Sequence, residues 1–189
     1  NVIDTGLLNI AAAIRAPTAD SRPVRHQTIA GATGGRRQVS RVLVTGGTGF
    51  IGRALCPILL RHGVRVSIAT RSPRVAETIG GVDVRPIPGI GPRVDWSVVL
   101  RDVDAIVHLA AKVPAALADQ NPQHVRDDQR VNVSGARKLA EDAAAAGVRR
   151  VVYVSTASVH GARTAPDQAF SEADPPAPAD LYARSKCEA

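Results

Sequence analysis

Residues 45–49 are made only of threonine and glycine, and Gly52 follows three residues later. Such a bare loop, set between the apolar run Val42-Leu43-Val44 and helix-like spacing from Phe50 onward, leaves main-chain N–H groups free to meet an anion. Three identities compete for it. A P-loop needs a lysine and a hydroxyl residue after its last glycine, to meet terminal phosphates and magnesium. Gly47 and Gly52 have that spacing, but Arg53 and Ala54 follow, so the P-loop fails on chemistry. A dinucleotide-binding turn needs glycines where strand becomes helix: for the tight turn, for approach of the backbone to a pyrophosphate, and for packing of helix on sheet. Gly46, Gly49 and Gly52 sit at those places. An ordinary structural turn is the third reading, and the rest of the chain must separate it from the second.

The elements that would position the loop alternate. Strand-like runs at 64–69, 82–84, 105–109 and 151–154 are interleaved with helical spacing at 50–61, 75–79, 96–100 and 122–146, with Gly63 and Gly147 just past two helix ends. Strands joined by crossovers predict an α/β protein, a parallel sheet wound on both faces. Ligands in such sheets sit at the carboxyl ends of the strands. Small and polar residues follow each strand there: the glycine loop, then Thr70-Arg71-Ser72, Ala110-Ala111-Lys112 and Ser155-Thr156-Ala157-Ser158. Their convergence favours the dinucleotide turn over the plain one. Arg71 stands where an NAD-binding sheet usually carries an acid for the ribose hydroxyl, and an arginine pairs with a 2′-phosphate. NADP is therefore expected over NAD.

Composition narrows the classes. At 189 residues, 44% hydrophobic and 22% charged, the chain can bury one sizeable core. Its apolar stretches fall short of the roughly 18 residues of a membrane span. Two cysteines, Cys56 and Cys187, carry no paired spacing and so no disulfide framework or metal signature; a cytoplasmic setting is the expectation. Of the net charge of +7, more than half lies in the stretch through Arg41, which has six arginines against Asp4 and Asp20. Residues 1–40 are expected to be a basic, disordered tail or linker, with 1–14 readable as a short helix. Aromatic residues make up 3% of the chain, too few for a base-stacking platform, and nucleic-acid binding is set aside. The chain starts at Asn1 and contains no methionine, which reads as a fragment or processed product.

Four segments, "VLVTGGTGFIG" at 42–52, "VDAIVHLAA" at 103–111, "RVNVSGARKLAEDAAAAGVRRVVYVSTASVHG" at 130–161 and "YARSK" at 182–186, together resemble the extended short-chain dehydrogenase/reductase superfamily. The resemblance is to its NAD-dependent epimerase/dehydratase group, in particular sugar-nucleotide 4-epimerases and 4-ketoreductases. It covers 41–189 and implies a Rossmann-type domain, here truncated before the family's C-terminal substrate domain. It further implies a catalytic set of Thr156, Tyr182 and Lys186, with Asn132 positioning the site from the long helix. Residues four apart share a helix face, so Lys186 can serve both the Tyr182 phenol and a cofactor ribose. A phenol with a pKa of about 10 needs such help to act as a base near neutrality. Gly46, Thr48, Gly49, Phe50, Ile51, Gly52, Arg71, Ala110, Ala111 and Lys186 are the implied cofactor contacts.

The implied activity is epimerisation or ketoreduction of a nucleotide-sugar with NADP or NAD. No membrane or nucleic-acid partner is implied, and a homodimer is the candidate assembly. The rival readings are a reductase of another small carbonyl compound on the same scaffold, and a non-catalytic NADP-sensing or scaffolding member. His108 reads as a packed strand-end residue, His160 as loop packing, Trp96 as the anchor of a short helix, and Cys56 as core. The family's adenine-binding aspartate has no clear counterpart after the third strand: Asp83 is too early and Asp95 begins the next element. The family continues well past its Tyr-x-x-x-Lys helix, so turnover by these 189 residues alone is not expected.

Overall fold

The computed structural model describes residues 2–15, 40–113, 122–164 and 167–189. Five parallel strands form one sheet in the order β3-β2-β1-β4-β5: β1 Arg41–Thr45, β2 Arg65–Thr70, β3 Asp83–Pro86, β4 Ala105–His108 and β5 Arg150–Tyr153. Order reverses at β1, between β2 and β4, and the doubly wound expectation is met. Side chains alternate across the sheet. Val42, Val44, Val66, Ile68, Ala105 and Val107 face one core, packed with α2 (Phe50–Arg61) and α3 (Pro73–Glu77). Leu43 and Ile106 face the other, with Trp96, Val99 and two residues of α5 (Gly135–Ala145), Leu139 and Ala143. A helix α6, Leu181–Glu188, follows β5; Asp180 opens it by accepting from the Ala183 N–H at 2.7 Å.

Two expectations change. Residues 2–15, inside the expected tail, form α1 (Val2–Arg15). Leu7, Ala11 and Ile14 fall on one stripe of that helix and are buried in the first core, and the Arg150 guanidinium donates to the Ala13 carbonyl. The rest of the expected tail, 16–39, lies outside the described residues. The single helix expected over 122–146 is divided into α4 (Pro122–Asp128), a π-helical turn (Gln129–Ser134) and α5. Trp96 is fully buried, and the turn or two of helical spacing expected at 96–100 is a run of turns over 97–102, with the Leu100 N–H on the Trp96 carbonyl at 2.8 Å and the Val103 N–H on the Leu100 carbonyl at 3.2 Å. No helix among the described residues is long and apolar enough to cross a membrane.

Candidate functional site

The glycine loop leaves β1 at Gly46, whose φ is +72°. A Cβ there would lie 2.7 Å from the Ala110 nitrogen, so the loop and the chain after β4 touch backbone to backbone. A Cβ on Gly52 would lie 2.4 Å from the Gly47 Cα, because the first turn of α2 rests directly on the loop. Both positions require glycine, one for conformation and closeness and the other for closeness alone. Gly49 caps α2 with no side-chain partner, leaving the helix N-terminus facing outward as an anion-binding end.

A cleft of about 670 Å³ opens at these strand ends. Of the expected cofactor contacts, Gly46, Thr48, Gly49, Arg71, Ala110 and Ala111 line it; Phe50, Ile51, Gly52 and Lys186 do not. Phe50 points to solvent at 81% exposure, while Gly52 is buried beneath the loop. Beyond β3 the wall is Ile87, Pro88, Gly89 and Ile90, with no carboxylate. Asp83 is held below the sheet by Arg41 and Arg85 at 2.9 and 3.0 Å, and Asp95 accepts from the Ser97 N–H, so neither faces the cleft. Arg71 is the charged side chain directly after β2, and Lys112 and Arg130 are the other cations on the wall.

Asn132 explains the π turn. Its side-chain amide meets one peptide from both sides: Oδ1 accepts from the Lys112 N–H at 2.8 Å and Nδ2 donates to the Lys112 carbonyl at 2.9 Å. Nδ2 also donates to Ser185 Oγ at 3.0 Å, and Ser185 donates to the Tyr182 carbonyl at 2.8 Å. A side chain 1% exposed thus ties the cleft wall after β4 to the helix carrying Tyr182 and Lys186. The wider turn gives Asn132 that reach, and Gly135 lets the next helix close on Ile90, where a Cβ would lie 2.6 Å from Cγ2. Ser185 was missed in the sequence; its signal is a small hydroxyl between Tyr182 and Lys186.

The remaining expected residues, Thr156, Tyr182 and Lys186, are not among the residues that line the cleft. Thr156 caps the short 3₁₀ turn Ala157–His160 by accepting from the Ser158 N–H at 3.3 Å, and is half-buried. Tyr182 is half-buried, and burial, with the Asp180 charge, pushes its phenol above the ordinary value. Lys186 is 3% exposed, and burial brings its ammonium down to about 8. That ammonium stands 3.9 Å from the centre of the Tyr153 ring. His108, 1% exposed, is packed as expected; burial and the Lys186 charge push its imidazole down to about 4. Cys56 is core, its thiol pushed up to about 12 by burial.

Comparison with known proteins places this geometry in context. A family model described as "NAD dependent epimerase/dehydratase family" matches residues 42–189. A UDP-glucose 4-epimerase of Vibrio cholerae is 30% identical over 158 residues, 83% of this chain and 47% of the relative. A Stigmatella aurantiaca protein named 4-hydroxy-2-methyl-3-oxo-4-farnesyl-3,4-dihydroquinoline-1-oxide ketoreductase is 31% identical over 120 residues, 63% of this chain and 34% of the relative. A solved structure of MoeE5 in complex with UDP-glucose and NAD aligns with a TM-score of 0.63 at 32% identity, covering 79% of this chain and 46% of that one. The chain spans less than half the length of these relatives. From the first strand to the last helix, through a glycine-floored cleft at the point where strand order reverses, the chain belongs to the NAD-dependent epimerase/dehydratase family.

Proposed function

We propose that the chain is the nicotinamide-nucleotide-binding part of an epimerase or ketoreductase acting on a nucleotide-sugar. The observation that carries the proposal is the close backbone approach of Gly46 to Ala110 on the cleft wall, where a Cβ would lie 2.7 Å from the Ala110 nitrogen, so that the loop stays bare with its N–H groups free for an anion. The loop N–H groups and the open end of α2 would hold the pyrophosphate. Arg71 would meet a 2′-phosphate; no carboxylate on the described cleft wall would repel one, which supports NADP over NAD. The bound nicotinamide supplies hydride transfer at its C4. Tyr182 would take or give the proton of the reacting sugar hydroxyl, and Thr156 would hydrogen-bond the same oxygen. Lys186 would contact the cofactor ribose. Asn132 would keep α6, and with it Tyr182 and Lys186, in register with the cleft wall.

The test has two readings. Calorimetric titration of NADP and NAD into the chain and into Arg71→Ala should give tighter NADP binding in wild type and a selective loss of NADP in the variant. Equal affinities in wild type would remove the preference, and no binding of either would remove the proposal. For chemistry, a UDP-sugar panel with the longer protein should show Tyr182→Phe losing about 10²- to 10⁴-fold in kcat with cofactor affinity kept. Lys186→Ala should lose both. A second reading, a reductase of a different carbonyl compound, is favoured by the Stigmatella relative alone; turnover of non-nucleotide ketones and none of UDP-sugars would select it.

A further inference from the structure

Three strands end in one row on the face of the sheet that carries α5 and α6. Thr45, His108 and Tyr153 are register partners across β1, β4 and β5. They lie two residues after Leu43, Ile106 and Val151, and so point to the same side as Leu43 and Ile106 of the second core. Thr45 Oγ1 and His108 Nδ1 share a hydrogen bond of 2.7 Å, and Thr45 Oγ1 accepts from the Ala110 N–H at 3.3 Å. The His108 ring stacks on Tyr153 with centres 5.8 Å apart and planes 23° from parallel. Lys186 completes the row, its Nζ 3.9 Å from the centre of the Tyr153 ring.

The charge on Lys186 has no carboxylate partner among the described residues. The acids on the elements packed against it are engaged elsewhere: Asp128 with Lys112, Glu188 with the Gln129 amide, Asp180 with the start of α6. Its titratable neighbours are His108 on β4, Tyr153 on β5 and Tyr182 on its own helix. An ammonium removed from water needs an attractive surface, and the aromatic face is the one given to it. The Tyr153 hydroxyl is buried with no hydrogen-bond partner, so the ring is the working part of this residue.

We infer that Tyr153 is a positioning residue for Lys186, its ring backed by His108 and laid under the ammonium so that the charge is held at a fixed place at the ends of β4 and β5. This deepens the reading of Lys186 given above and rests on it for catalytic meaning. The measurement reads the amine directly and needs no cofactor, so its outcome is independent of whether nicotinamide nucleotides bind.

The chain has three lysines, Lys112, Lys138 and Lys186, so protein labelled with ¹³C at lysine Cε gives three resolvable signals. In wild type the Lys186 methylene protons should be displaced upfield by the ring current relative to the other two. An undisplaced signal would overturn the inference without any variant. Tyr153→Phe keeps the face and should leave both the displacement and the titration midpoint within experimental error. Tyr153→Leu keeps the burial and removes the face; its Lys186 midpoint should fall by about half to one pH unit, the size of a partly desolvated cation–π contact. An unchanged midpoint in the leucine variant, or equal shifts in both variants, would overturn the inference.

Discussion

His108 carries a proton in the unfolded chain over a pH range in which the folded protein keeps it neutral. Its folded value is lowered to about 4 against an ordinary 6.5, so the unfolded state binds the extra proton first. Stability is therefore fully present above pH about 6.5 and is lost as pH falls toward 4, by roughly 3 kcal/mol for this one group. Urea midpoints of wild type and His108→Asn between pH 4 and 7 should diverge at the upper end and converge at the lower. Parallel curves would assign the acid loss elsewhere. At this scale the sequence spoke unevenly. "VDAIVHLAA" marked His108 as a strand-end residue and "YARSK" marked Tyr182 and Lys186. Nothing in either motif says that Tyr153 lies under the lysine, since that contact joins two elements whose relative placement only the packed sheet decides.

The glycine loop and the π turn are the elements on which the site depends. Gly46 and Gly80 both have positive φ, +72° and +64°, but a Cβ at Gly80 would meet nothing within 4 Å. Alanine at Gly80 should cost about 1–2 kcal/mol from backbone strain. Alanine at Gly46 should cost more, because it also drives the Ala110 backbone away, and it alone should abolish cofactor binding. Urea denaturation and cofactor titration of both variants separate strain from closeness; matching losses of stability would show that the Ala110 contact is compliant. β2 and β3 were legible from alternation, β1, β4 and β5 from short continuous apolar runs, and the loop from its composition. The break at 129–134 was not, because "RVNVSG" has good helical spacing and the widening is imposed by Asn132 reaching a peptide 20 residues earlier in the chain. The turns over 97–102 end at Asp102, whose φ of +60° does not continue a right-handed helix.

In the whole molecule, α1 covers part of the sheet face formed by β1, β2 and β4 and lies against α2 and β5. A short helix over 1–14 was readable in the sequence, but its place in the core was not, since arginine, proline and glycine over 15–38 dominate the first forty residues and the apolar stripe of Leu7, Ala11 and Ile14 is short. Ile14 is fully buried. Ile14→Asp should destabilise the protein by on the order of 3 kcal/mol or more, the cost of an unpaired polar group in the core added to lost packing. Urea unfolding and dye binding to exposed apolar surface would check it, and a variant as stable as wild type would mean that α1 contributes no packing.

The same helix sets a schedule. Its bond to Arg150 joins residues 137 apart in the chain. On a ribosome adding about 5–20 residues per second, α1 is made on the order of ten seconds before β5. The sheet it covers cannot be completed sooner, because β1 pairs with β4 some 63 residues later and parallel pairing of this kind is slow to close. During that interval α2 is the part of the native packing surface already made, and β5 is the part still missing. The stripe of Leu7, Ala11 and Ile14 is therefore covered in stages as synthesis proceeds, first by α2 and last by β5.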